Sequence, residues 1–338
     1  MTSTVKFRLS SRQLDYALKA VAALVVVALL YLAYTAWDYN RRTQSTTIAA
    51  RAVENLAEAV RKDPRNPNAR ILLAQALAGQ GRLNDAIEQF QAALKLDEDN
   101  PAALEGLGMI ALKQQQWATA EGYFRRIIDK LRGGQFANAD NRLERAYYYL
   151  GVTLIKRKQY EDAAGYLKEA LRIRRDASDT HYALSVAYRE LGIADKSRQE
   201  LETALAFDPL LPEANYDLGR LLVNDGDLAG AAEAFRRAID GAPGQPEPLQ
   251  ELEKLGPFAD RLAKAKSLLA TDKKAALVEA RIASALDPKN LEAARIKARL
   301  LQELGSGKDA ADAWEKVLQL APEDPEATAA LNELTKKQ

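Results

Sequence analysis

Apolar side chains recur along most of this chain in steps of three and four, which places them on one face of an α-helix. The pattern falls into register with a period of 34, in units starting at Pro67, Pro101, Glu144, Ser178, Pro212, Pro257 and Leu291. Each unit predicts two helices. In the first helix a leucine precedes a small residue: Leu73-Ala74, Leu107-Gly108, Leu150-Gly151, Leu184-Ser185 and Leu218-Gly219. In the second, a small residue holds one place: Ala86, Ala120, Ala163, Ser197, Ala231, Ala276 and Ala310. Four positions later a large apolar group follows: Phe90, Phe124, Leu167, Leu201, Phe235 and Trp314, with Ala280 the exception. Three positions beyond stand Ala93, Ile127, Ala170, Ala204, Ala238, Ala283 and Val317. Antiparallel helices approach closely only where neither carries bulk, so the small residues mark helix crossings and the large ones fill seams between units. Gly81, Gly192, Gly226 and Gly305 mark turns; Pro209, Pro243, Pro288 and Pro322 end second helices.

This 34-residue pattern of small, large, small and proline places resembles the tetratricopeptide repeat family. The resemblance implies an all-α superhelical solenoid of about seven helix–turn–helix units that binds proteins and does not catalyse. The expected organisation is units one to five over 67–240 and two degenerate units over 257–324, where Lys264 and Lys297 interrupt the pattern. A C-terminal cap and polar tail follow over 325–338. Two insertions break the period, 132–143 and 241–256. The first reads as loop. The second reads as containing a short helix, Pro248–Leu255, and as a place where the array could divide; for both, loop drift and a binding role stand as alternatives. A linker and N-capping helix are expected over 39–66, because Ala52, Leu56, Ala59 and Pro64 fit second-helix places.

The N-terminus adds a different signal. Residues 20–37 read AVAALVVVALLYLAYTAW without a charge. At ~1.5 Å per residue they would span about 27 Å, so the expectation is a transmembrane helix over 14–38 after a tail over 1–13. Tyr31, Tyr34, Trp37 and Tyr39 would form its interfacial belt. Lys6, Arg8, Arg12 and Lys19 slightly outweigh Arg41, Arg42 and Arg51, which favours an array outside the cytoplasm. The expected setting is therefore a single-pass protein of the bacterial inner membrane, with the lipid bilayer as a partner through 14–38.

Composition excludes more than it assigns. Forty-eight Lys and Arg against 47 Asp and Glu, a net charge of +1, give no basic excess for nucleic acid. With no cysteine and one histidine, His181, thiolate metal sites, cysteine nucleophiles and histidine-rich metal centres are excluded. His181 matches Tyr147 and Asn215 of neighbouring units and reads as structural. No catalytic residue, cofactor, metal or small-molecule substrate is expected.

In the family that the chain resembles, first helices line a concave groove. On that flank Tyr148, Tyr182 and Tyr216 recur at intervals of 34, followed one turn on by Val152, Val186 and Arg220. Arg189 and, further along, Arg261, Arg295 and Arg299 complete the candidate groove, with the arginines expected to pair with ligand carboxylates. Tyrosine offers a flat apolar face and a hydroxyl, which suits extended peptides, but the same rings could simply cover seams between units. The family's Lys–Asn carboxylate clamp is missing, since Ile71 and Gln75 stand in its places. Three roles remain open: an adaptor for extended client segments in complex assembly or quality control, a constitutive subunit of a large membrane complex, or a cytosol-facing import receptor.

Overall fold

The computed structural model describes the backbone of residues 11–336 and the side chains of residues 19, 21, 24–39 and 49–335. The described residues form seventeen α-helices, one 3-10 turn and no strand. They belong to two compact units, Met1–Lys130 and Leu131–Gln338. The division falls at the first insertion, not at 241–256.

The first unit holds α1 (Ser11–Lys62), α2 (Pro67–Gly79), α3 (Leu83–Leu94), α4 (Pro101–Lys113) and α5 (Trp117–Leu131). Asn66 and Asn100 cap α2 and α4, their side chains accepting from Ala69 N at 3.2 Å and Ala102 N at 3.1 Å, with Pro67 and Pro101 just inside. Asparagine satisfies a free amide there, and proline has none to satisfy. The core gathers Ile71, Leu73 and Leu77 of α2, Ala86, Phe90 and Ala93 of α3, and Leu107 and Ile110 of α4. The last four turns of α1 cover it. Val53, Leu56, Ala57 and Val60 pack inward, whereas Ala52 and Ala59 are exposed. The covering face is thus turned by about one residue from its expected register, which buries larger apolar groups.

The N-terminal expectation needs correction. Among the described residues no helix is long and apolar enough to cross a membrane. The apolar stretch is not an element of its own: it is an interior part of α1, a 52-residue helix that runs on without a break through Asp38, Arg41, Arg42 and Arg51 to Lys62. The transmembrane helix over 14–38, the separate linker after it, the lipid partner and the single-pass inner-membrane placement are withdrawn on that ground. The expected tail, 1–13, lies outside the described residues except for positions 11–13, which are helical.

The second unit begins with the 3-10 turn Ala137–Ala139. It then pairs α6 (Asn141–Lys156) with α7 (Tyr160–Ile173), α8 (Ser178–Glu190) with α9 (Ala194–Phe207), and α10 (Pro212–Asn224) with α11 (Leu228–Gly241). After α12 (Pro246–Glu253) come the pairs α13 (Phe258–Leu268) with α14 (Lys273–Leu286) and α15 (Leu291–Glu303) with α16 (Gly307–Leu320), and finally α17 (Pro325–Lys336). All the expected small and large second-helix positions are buried in both units. The approach is close: a Cβ on Gly151 would lie 2.5 Å from Leu167 Cγ, and one on Gly219 2.5 Å from Phe235 Cδ1. Where serines replace small residues, Ser197 Oγ donates to Ser185 O at 2.9 Å, so the hydroxyl is satisfied inside the crossing.

The lysine that seemed to spoil the sixth unit marks a one-residue slip. Ala265, fully buried, holds the small place, and Lys264 beside it is exposed. The turn between α13 and α14 is one residue shorter than in the other pairs, where small place follows small place after 12 positions. At this junction α11 packs on both α12 and α14. Leu252 and Leu255 join Phe235, Ile282 and Ala285 in one cluster, so the second insertion supplies core in place of a regular first helix. In the seventh unit Ala298 is the buried small residue and Lys297 turns to Glu233.

The helix-pair turns need a left-handed residue. Gly81, Gly192, Gly226 and Gly305 provide it with φ between 74° and 82°. Gln115 and Lys158 hold the same place at φ 58° and 60°, a conformation that costs a residue with a Cβ about 1–2 kcal/mol. Lys158→Gly is therefore expected to stabilise the chain by about 0.5–1 kcal/mol, the relief being partly offset by unfolded-state entropy; urea titration would show a higher midpoint with an unchanged slope. Asp324 is the opposite case. Its buried carboxylate accepts from Ala327 N at 2.9 Å and Glu326 N at 3.0 Å at the start of α17, and from Arg295. The Ala327 N–H and then the Arg295 guanidinium hold it below the ordinary carboxylate range. Asp324→Ala removes cap and pair together and should cost about 2–3 kcal/mol near neutral pH, a deficit that shrinks as pH falls through the lowered pKa.

Candidate protein-binding groove

Tyr148 on α6, Tyr182 on α8 and Tyr216 on α10 hold equivalent places on successive first helices, and all three are half-buried. Each ring has two jobs. Tyr182 packs on the seam of Leu201, Ala204 and Leu211, and Tyr216 lies 6.1 Å from the Phe235 ring. Tyr148 lies 5.1 Å from Tyr149 at a tilt. Tyr182 thus covers a seam in part, and all three rings keep part of their surface accessible.

One turn on, Val152 and Val186 are half-buried and Arg220 is exposed, its guanidinium 5.9 Å from the Tyr216 ring centre. Tyr182 Oη donates to Asp217 Oδ2 at 3.1 Å, and Arg189 Nη1 donates to the same oxygen at 2.5 Å. Arg189 is therefore bound within the protein. Burial, and then the charge of Asp179, pushes the Tyr148 phenol up to about 12. Burial, and then the charge of Asp217, raises Tyr182 as well.

The remaining predicted arginines do not join this surface. Arg261 donates through Nε to Leu255 O and through Nη1 to Glu279 Oε2, both at 2.8 Å. Its backward reach of six residues matches Arg70 to Pro64 O, His181 to Arg175 O and Asn215 to Pro209 O. It therefore occupies the helix-anchoring place, not the groove place. Arg295 and Arg299 stand at the tyrosine and valine places of α15, but they are bonded to Asp324 and Glu326. His181 also bonds Glu200 Oε2 at 2.6 Å and stacks on Phe207, which explains it as an anchor. Ile71, at a clamp position, is buried in the core.

Sequence reasoning passed over two residues of this face. Asp179 and Glu213, 34 apart, stand in the first turns of α8 and α10, one turn before Tyr182 and Tyr216. Both are exposed, and neither has a hydrogen-bond or ion-pair partner among the described residues. Their recurrence at the repeat period was the available signal. Elsewhere in this unit, a depression of about 450 Å³ lies between α11, α14, α15 and α16. Glu233 sits in it between Arg281, at 2.9 Å, and Lys297, at 2.7 Å, and is paired with both. Among the described residues no group of three His, Asp or Glu is placed to hold a metal ion.

The sequence matches the tetratricopeptide repeat family over residues 49–101, 73–136 and 182–246, and again over 144–177, more than half of the chain in all. The chain belongs to this family of protein–protein interaction scaffolds. It is similar to the cellulose synthase 1 operon protein C of Komagataeibacter xylinus, 29% identical over 160 residues that make up 46% of this chain and 12% of that protein. It is also similar to the BBSome complex member BBS4 of Bos taurus, 22% identical over 189 residues, 56% of this chain and 35% of that one. The chain thus spans only a minor part of the length of these relatives. Among solved structures, YrrB, described as a TPR protein with an unusual peptide-binding site, is 22% identical with a TM-score of 0.45, covering 59% of this chain and 98% of that one.

The two phenols give a pH dependence. A tyrosine whose pKa is higher folded than unfolded contributes fully below the unfolded value of about 10, and the contribution is lost as pH rises through the folded value. Stability is expected to decline between about pH 10 and 12, as Tyr148 and then Tyr182 are forced to ionise. Urea denaturation across that range should show a smaller decline for Tyr148→Phe.

Proposed function

We propose that this chain is a non-enzymatic scaffold that binds extended segments of partner proteins along the face of α6, α8 and α10, in the assembly or quality control of protein complexes. The observation supporting this reading is the ladder Tyr148, Tyr182 and Tyr216 with Val152 and Val186 beside it. These side chains keep apolar area accessible, while the inter-unit bonds beneath, Tyr182–Asp217–Arg189, hold the surface in one conformation before a ligand arrives. A surface already ordered loses little entropy on binding, and tyrosine contributes large area with few rotatable bonds. The groove of this reading is narrower than the full candidate set. Arg220 remains in it; Arg189 acts as a brace, and Arg261, Arg295 and Arg299 act as staples within the fold.

Val152→Gln with Val186→Gln tests it. Glutamine keeps helix propensity at half-exposed places, so the fold should persist, while removal of apolar contact should weaken partner binding by about tenfold. Lys168→Gln, at an exposed position of α7, should leave binding unchanged. Site-specific photocrosslinking from both faces, with circular dichroism of each variant, gives the comparison. Equal loss from both faces, or none from the valine pair, would reject the groove.

A further inference from the structure

The face of α6, α8 and α10 has a sign, and it is opposite to the one that a count of its arginines suggests. Arg189 is bonded to Asp217, and Tyr182 donates to the same carboxylate. The arginine positive charge at that end is therefore already paired with a carboxylate of the protein, although the Arg189 side chain stays exposed. At the other end, where α8 and α10 begin, Asp179 and Glu213 are exposed and unpartnered among the described residues. Glutamate and aspartate in a first turn do favour the helix dipole, a role that needs no ligand. Two features go beyond that role. The residues recur at the groove register, directly before Tyr182 and Tyr216, and they act on the ladder itself: Asp179 and Glu213 both help to raise Tyr148, and Glu213 helps to raise Tyr182. Each carboxylate lies one helical turn before a ring of the ladder, Asp179 before Tyr182 and Glu213 before Tyr216, and no cation among the described residues is bonded to either.

Resting on the groove reading above, we propose that this surface selects an extended protein segment carrying a lysine or arginine, whose cationic head pairs with Asp179 and Glu213 while its aliphatic stem lies on Tyr148 and Tyr182. A long cationic side chain is the chemistry that satisfies both halves. Its stem covers apolar ring faces, its charge interacts favourably with the same rings, and its head reaches an unpaired carboxylate. An acidic segment would meet uncompensated like charge here, a repulsion that works against binding. Arg220, over the Tyr216 ring at the opposite edge, gives the segment a direction: cation toward the helix starts, and acid or carbonyl toward Arg220.

Short random peptides displayed on phage and selected on the full chain provide the probe. The expected result is enrichment of Lys and Arg over Asp and Glu. A synthetic peptide from that selection should bind about tenfold more weakly, or worse, to the double variant Asp179→Asn with Glu213→Gln, and more weakly still in high salt. The double variant Asp179→Lys with Glu213→Lys should select acidic peptides instead. Circular dichroism and melting of the Asn/Gln variant separate lost binding from a lost helix start. Peptides without cationic enrichment, or indifferent to Asp179 and Glu213, would overturn this inference while leaving the groove in place if Val152→Gln with Val186→Gln still weakens them. Cationic peptides that ignore the valine pair bind elsewhere, and would overturn inference and groove together, as would a selection that enriches nothing.

Discussion

The distance between the two helices of each pair governs the rest of this structure. At the crossing there is room for a hydrogen or a methyl group and for nothing larger: at Gly219 the Phe235 ring already fills the space of a Cβ. The bulk comes from the second helix: Phe124, Leu167 and Phe235 fill the space opposite Gly108, Gly151 and Gly219, while Phe90 packs against Gly106 of the next unit, and all four are almost fully buried. Once the inner faces are committed in this way, each first helix has one flank left to present outward. Tyr148, Tyr182 and Tyr216 occupy that flank, so the proposed groove rests on the packing that lies behind it.

Charge serves the fold before it serves any ligand. The buried carboxylates Glu144, Asp217, Glu279 and Asp324 are met by Arg174, Arg189, Arg261 with Lys264, and Arg295. Leaving one such group unpaired would cost several kcal/mol, so these arginines are bound to their posts. The consequence is functional. A face that reads as basic by residue type presents unpaired carboxylates at Asp179 and Glu213, while its exposed Arg189 is already paired with Asp217.

The departures from the expected plan share a cause. A register deduced from spacing assumes equal turns, and the shortened turn before α14 moves every first-helix place of that unit by one. Lys264 then leaves the crossing, and Arg261 leaves the groove. The insertion before it became core because Leu252 and Leu255 had a partner in Phe235, which lies far from them along the chain. Likewise the apolar run near the N-terminus is conspicuous in a short window, but backbone hydrogen bonding carries the helix on to Lys62, where Val53, Leu56, Ala57 and Val60 find the core of α2 and α3.

The order of small, large and small residues by itself determined that the chain forms paired helices, where they cross, and which residues are buried, because a helix converts spacing into facing without outside help. The tyrosine face was legible for the same reason. Tertiary structure alone decided which charges on that face are free, how the irregular junction closes, and how far α1 extends. Each of these depends on partners that only folding brings together: Arg189 is a ligand-binding group or a brace according to whether Asp217, 28 residues away, reaches it first.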